Sequence, residues 1–190
     1  MKLNIGMVLG ALIISFAAGS APGAEADKTK KQAEVRKAAQ TSLERFYTAN
    51  PKLKDEVGKS PGYAVFTTYG ISFIVGGAGG HGLVRNRKTG ANTYMSMAQA
   101  SAGAQIGASQ SETLIIFKSP QALAQFVDKG WEFGGGGGVE AGIAGKTAGL
   151  PGAGGENLIA DALYYTLTKN GIQVGGAVAG TKFWKDKSLN

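Results

Sequence analysis

The chain has 190 residues, 31 of them glycine and none cysteine, and carries a formal net charge of +7 at neutral pH. Without cysteine there is no disulfide, thiolate nucleophile or Cys-ligated metal, and the single histidine cannot build a multi-histidine site. A composition of 43% hydrophobic and 17% charged residues suits one folded domain rather than a disordered chain, and scarce proline with no Gly-X-Y period excludes collagen.

Residues 1–26 read as a secretory signal peptide. Lys2 precedes an apolar stretch from Ile5 to Ala18, followed by small residues and Pro22. The stretch is short for a membrane span, which needs roughly 20 residues, and Ala24-Glu25-Ala26 fits the small-x-small cleavage pattern. The mature chain is expected to start near Asp27 and to reach a periplasm or the exterior; a retained anchor is the alternative. Residues 27–190 hold 19 basic and 12 acidic side chains, and residues 27–59 hold nine against five. Such a balance suits anionic surfaces. Nucleic acid is not expected as a partner, because an exported chain without a nucleic-acid motif offers no basis for it.

Residues 27–57 lack glycine and read as helix. Val35, Ala39, Leu43 and Phe46 form one apolar stripe, and Asn50-Pro51 ends the helix. Asn50 is placed to cap a second short helix, with Pro51 at its first position and Gly58 closing it. The stripe suits a helix lying on a membrane or one packed on the rest of the domain. Glu34, Glu44, Asp55 and Glu56 dilute the basic face and favour packing.

From Gly58 onward the periodicity shifts toward two, and 27 glycines fall in residues 58–190. Tyr63–Tyr69 reads as a strand, with the alternation continuing through Ile71, Phe73 and Val75. His81–Asn86 and Asn92–Met97 flank Arg87-Lys88-Thr89-Gly90 as a hairpin, and Ala98–Ala108 alternates between two small-residue faces. Thr113–Lys118 reads as a buried strand. Ser119-Pro120 opens a helix with Leu123, Phe126 and Val127 inward and Gly130 at its end. Leu158–Thr168 and Ile172–Ala179 flank the hairpin signal Asn170-Gly171. Gly134–Gly138 and Gly149–Gly155 bound a glycine-rich loop over 134–155, read as either a surface loop or a ligand-gating flap. The fold class is α+β: a mostly antiparallel, curved or barrel-like sheet, an N-terminal helix and one or two further short helices.

Catalytic spellings fail on chemistry. Gly58-Lys59-Ser60-Pro61-Gly62 matches a nucleophile elbow, but Pro61 has no N–H for an oxyanion. Gly77-x-Gly79-x-x-Gly82 matches a dinucleotide fingerprint, but a strand rather than a helix follows it. Gly145-Lys146-Thr147 lacks the glycine of a phosphate loop, since Glu140 stands there. His81, with Arg85, Arg87 and Lys88 nearby in sequence, is a secondary anion-contact candidate or an ordinary sheet-edge histidine. No catalytic residue, metal ligand or cofactor is expected.

The ordered series Pro61-Gly62-Tyr63-Ala64-Val65-Phe66, Gly70–Val84, Thr93–Ala100, Gly130-Trp131-Glu132-Phe133-Gly134 and Gly180–Asn190 resembles the SYLF domain family, in its exported bacterial branch. The match spans about residues 57–190 and departs from the family at the Gly134–Gly138 tract. The resemblance implies a compact, mostly antiparallel β domain that binds phospholipid, with an N-terminal basic helix implicated in membrane contact. On that helix Lys28, Lys30, Lys31, Arg36, Lys37 and Arg45 are the candidate phosphate contacts. Actin binding belongs to the yeast members and is not expected in a periplasm. The expected function is non-catalytic binding of anionic phospholipid or a membrane surface. The alternative is a soluble envelope domain that binds another protein. A membrane-spanning β-barrel is disfavoured because Ala98–Ala108 is too weakly apolar to face hydrocarbon.

Overall fold

In the computed structural model, residues 22–72, 75–102, 107–133, 161–169, 171–174 and 181–190 are described. The leader before Pro22 and the glycine-rich loop at 134–155 lie outside these residues. Helix α1 runs from Pro22 to Ala49, and its Ala-, Lys-, Glu- and Gln-rich sequence favours a helix throughout. A short α2 follows over Lys52–Lys59. Asn50 Oδ1 accepts from the Lys52 N–H at 3.2 Å, as a cap should. Gly58 does not close α2. The helix continues past it to Ser60, whose N–H donates to the Glu56 and Val57 carbonyls.

The remaining elements build one antiparallel sheet curled into a half-barrel. They are β1 (Gly62–Ser72), β2 (Val75–Asn86), β3 (Asn92–Ala102), β4 (Gly107–Phe117), α3 (Pro120–Lys129), β5 (Trp131–Phe133), β6 (Ala162–Thr168), β7 (Gly171–Val174) and β8 (Thr181–Lys185). Strand order is β5-β8-β3-β2-β1-β4-β6-β7, so the described sheet is open with β5 and β7 at its edges. The α+β class and the N-terminal helix with two short ones agree with the sequence pattern. A hairpin also forms where Arg87–Gly90 predicts it, and β6 pairs antiparallel with β7 near the Asn170-Gly171 signal, with Gly171 already in β7 and Asn170 outside the described residues.

Two strand boundaries differ from expectation. The alternation read continuously from Tyr63 to Val75 is two strands, because β1 ends at Ser72 and β2 begins at Val75, folded back on it. Ala98–Ala108 likewise divides: residues 98–102 complete β3 and 107–108 begin β4. β1 and β2 are paired neighbours, whereas β2 and β1 lie between β3 and β4. In both stretches period-two alternation runs from one strand into the next, so alternation alone does not reveal where a strand ends.

Strand alternation gives the sheet two differently covered faces. On one, Phe66, Met95, Ile115, Phe117 and Phe183 meet Leu123 and Phe126 of α3 and the Trp131 ring. Ser119 caps α3 by accepting from the Ala122 N–H at 3.2 Å, and Gly130 ends the helix at φ 69°. Phe66 and Phe183 have ring centroids 4.8 Å apart, and Phe126 and Trp131 have theirs 4.6 Å apart. Gly82 is needed here because its Cβ would stand 2.2 Å from the Phe66 ring. The other face carries Val65, Leu83, Tyr94, Leu114 and Tyr165, covered by α1 through Ala39 and Phe46 and by α2 through Leu53 and Val57.

Candidate functional site

The face under α1 is crossed by a polar row. Paired register places Ser96 of β3, His81 of β2, Thr67 of β1 and Glu112 of β4 side by side. Helix α1 meets this row with polar side chains where an amphipathic helix would bring leucines. Ser42 Oγ lies 3.2 Å from Thr67 Oγ1, and an Arg45 nitrogen lies 2.5 Å from Glu112 Oε1. The ion pair is lopsided, because the Glu112 side chain is 6% exposed and Arg45 is 57% exposed. Glu112 Oε2 is buried with no hydrogen-bond partner among the described residues. Burial of a carboxylate is costly unless it is paired, so Arg45 sets the fit of helix to sheet at this point.

Beyond β8, residues 186–190 turn back over Tyr94. The Asn190 side chain acts as a short strand: its Oδ1 accepts from the Tyr94 N–H at 3.0 Å, and its Nδ2 donates to the Tyr94 carbonyl at 2.7 Å. Leu189 is buried against the α1 face. The N-terminal half of α1 fastens to this tail. Lys28 donates to the Asn190 carbonyl at 3.0 Å, Gln32 to the Leu189 carbonyl at 2.8 Å, and Arg36 to the Tyr94 hydroxyl at 2.7 Å.

Ser96, His81 and Asp186 also meet, in an arrangement that invites comparison with a hydrolase. A triad needs its serine and carboxylate at opposite ring nitrogens. Here Ser96 Oγ and Asp186 Oδ2 both lie 3.4 Å from His81 Nδ1, and Ser96 donates directly to Asp186 at 3.0 Å. The serine proton is thus directed to the carboxylate, and the cluster joins β2, β3 and the tail. Burial acts to raise the Asp186 carboxyl, but hydrogen bonds from Ser188 and Ser96, with His81 nearby, hold it below its usual value. On the same face, burial pushes Tyr47 up to about 12, aided by the neighbouring Tyr63. Tyr165 is raised by burial and by its 2.8 Å hydrogen bond to Glu56.

The residues singled out by sequence therefore divide by role. Lys28, Arg36 and Arg45 make contacts inside the molecule, and Lys31 pairs with Asp27 one helical turn away at 3.0 Å. Lys30 and Lys37 lie on the outer face of α1 in one stripe with Glu34 and Glu44, all exposed. Arg85 donates to the Gly90 carbonyl and to Asn92 Oδ1, holding the β2–β3 turn. Arg87 donates to the Gly58 and Ser60 carbonyls and ties that turn to the end of α2. Lys88 is exposed in the turn, and His81 sits four residues along β2 from Arg85, so the four are not gathered in one site. The sequence pattern does not single out Glu112, Asp186 or Asn190. Glu112 alone had a local signal, an acid at the head of the apolar run Leu114–Phe117. Among the described residues, no cluster of three or more metal-ligating side chains occurs and no helix is long and apolar enough to cross a membrane.

Residues 98–190, from within β3 through the Asn190 tail, match the family model described as Ysc84, Las17-binding protein actin regulator. The chain is also 32% identical over 164 residues to beta cell expansion factor A of Aeromonas veronii, covering 85% of this chain and 60% of that protein. The chain thus spans less than two thirds of the length of this curated relative.

Proposed function

We propose that this chain, which belongs to the SYLF (Ysc84) family, is an exported, non-catalytic module that binds anionic phospholipid at a membrane surface. The observation that carries this reading is how folding sorts charge. Glu112 is buried, and Asp186 and Glu56 are partly buried and hydrogen-bonded inward, whereas every described lysine except Lys28 is exposed. Holding these three carboxylates inward, while Glu25, Asp27, Glu34, Glu44, Asp55, Asp128, Glu132 and Asp161 stay exposed, makes the surface modestly more positive than the composition alone conveys. Each lysine near an anionic bilayer contributes about 1 kcal/mol, so four to six contacts hold a small protein reversibly. Actin regulation, named in the family description, is not extended to an exported chain. The leader sequence supports export.

The test is co-sedimentation of the full chain with vesicles of phosphatidylcholine alone or mixed with phosphatidylglycerol, at low and high salt. Binding to the mixed vesicles only, weakened by salt, is the expected result. Equal pelleting on both vesicles, or none, overturns the reading; recovery with another envelope protein instead would support a protein-binding domain. Reversing Lys30 and Lys37 to glutamate removes two outward cations and should weaken binding at least tenfold, taking roughly 1 kcal/mol per lysine. Reversing Arg45 is a poorer probe, because it would also disturb Glu112.

A further inference from the structure

The exposed large hydrophobic side chains among the described residues are Tyr69, at 65% exposure, and Trp184, at 39%. Both stand on the α1 side of the sheet, beyond the part that α1 covers. Trp184 of β8 is paired with Ser96, which is paired with His81. Tyr69 of β1 lies one row further along, beside Gly79, which pairs with Ala98, itself paired with Lys182. Three strand spacings across and one row along place the two ring-bearing positions roughly 16 Å apart on a continuous shelf.

The floor of that shelf is bare without packing demanding it. A Cβ at Gly79 would meet only the Met97 carbonyl oxygen at 3.9 Å, and one at Gly77 only that of Gln99 at 3.7 Å. Both are ordinary contacts, and neither glycine adopts a left-handed backbone. Gly80 and Gly82 differ, since a Cβ there would stand 2.0 Å from the Thr67 carbonyl oxygen or 2.2 Å from the Phe66 ring. Charge around the Trp184 end is positive: Lys182 on the same face of β8 and Lys187 in the turn after it are exposed, while Asp186 turns inward onto Ser96; Lys185, paired with Met95, belongs to the α3 face. Lys182 also makes an exposed ion pair with Glu132 at 2.8 Å, a pairing of little strength in water.

We infer that this shelf is the membrane-facing surface, with Tyr69 and Trp184 seated in the interface of an anionic bilayer and Lys182 and Lys187 over its phosphates. The inference rests on the lipid-binding reading and moves the apolar contact from α1 to the sheet. The apolar stripe of α1 is already used against Val65 and Leu114, so a docked α1 has only its outer polar face to offer. Amphipathic rings suit the boundary between headgroups and chains, and lysines beside them suit its negative charge.

The experiment follows tryptophan emission of the full chain on phosphatidylcholine–phosphatidylglycerol vesicles, with and without brominated acyl chains. Trp131 is 3% exposed in the core and serves as an internal reference. Binding should blue-shift the emission and brominated lipid should quench it, whereas Trp184→Phe should bind with its remaining emission unquenched. Tyr69→Ala with Trp184→Ala should lower vesicle affinity roughly tenfold or more while the unfolding midpoint holds. Gly79→Glu, which puts a carboxylate on the floor, should do the same. If wild-type protein pellets with vesicles but shows no quenching, or the variants bind unchanged, the shelf assignment falls and the lipid reading stands. If wild-type protein does not pellet at all, both fall. A wild-type dimer that the double variant returns to monomer would give the face to a second copy and overturn the assignment.

Discussion

The two faces of the sheet are covered by helices in opposite ways. Under α3 the contact is almost wholly apolar, with Phe66, Phe117, Phe126, Trp131 and Phe183 edge-packed and buried. Under α1 the large apolar groups on the helix itself reduce to Phe46, fully buried, with Val35, Leu43 and Tyr47 partly so. Hydrogen bonds and one ion pair do the rest. The α3 face is held by apolar contact almost alone, whereas the α1 face adds to its own apolar cluster a set of polar contacts that water can replace.

The largest expected effect tests the first half of that contrast. Phe126→Ala empties the centre of the aromatic cluster and should cost about 3–5 kcal/mol of stability, read by denaturant unfolding. A small loss would mean that the α3 face is not the dominant core. Next comes Arg45→Ala, which strands the buried Glu112 carboxylate and should cost about 1–3 kcal/mol. Adding Glu112→Gln should recover part of that loss, because the stranded charge disappears. If the two changes simply add, the pair does not couple helix to sheet. A smaller effect, about 1–2 kcal/mol, is expected for Asn190→Ala, which removes the amide pairing with Tyr94. Hydrogen exchange should then quicken in residues 22–36 of α1 more than in α3, since that half of the helix is fastened to the tail.

The same contrast explains what the sequence makes legible. The α3 side announces itself locally: the Ser119-Pro120 start, the Gly130 stop, and Leu123 and Phe126 one turn apart. The hairpin at Arg87–Gly90 and the α+β class follow from turn chemistry and period. On the α1 side the stripe of Val35, Ala39, Leu43 and Phe46 is legible, and it does pack on the sheet. Its polar partners are not, because Arg45 and Glu112 are 67 residues apart and Lys28 and Asn190 are 162 apart. An arginine that answers a buried carboxylate and a lysine that faces solvent look alike along the chain. The ends of β1 at Ser72 and of β3 at Ala102 are hidden for a different reason, as the alternation of the sequence continues past each of them.

The smallest effect concerns acid. Hydrogen bonds from Ser188 and Ser96, together with His81, outweigh burial and leave the Asp186 carboxyl below its usual 3.8. A carboxyl with a lowered folded value favours the folded state when ionised. That contribution is complete above the ordinary value and disappears as pH falls through the lower folded one. Wild-type protein should therefore lose stability faster than Asp186→Asn on acidification below about pH 4, with the two curves parallel at neutral pH. Because Asp186 joins the tail to β2 and β3, the acid loss should show first as faster hydrogen exchange in α1 and the tail, with α3 still protected. Simultaneous loss of protection in both helices would mean that the two faces open as one unit, and that the α1 side is no more conditional than the core.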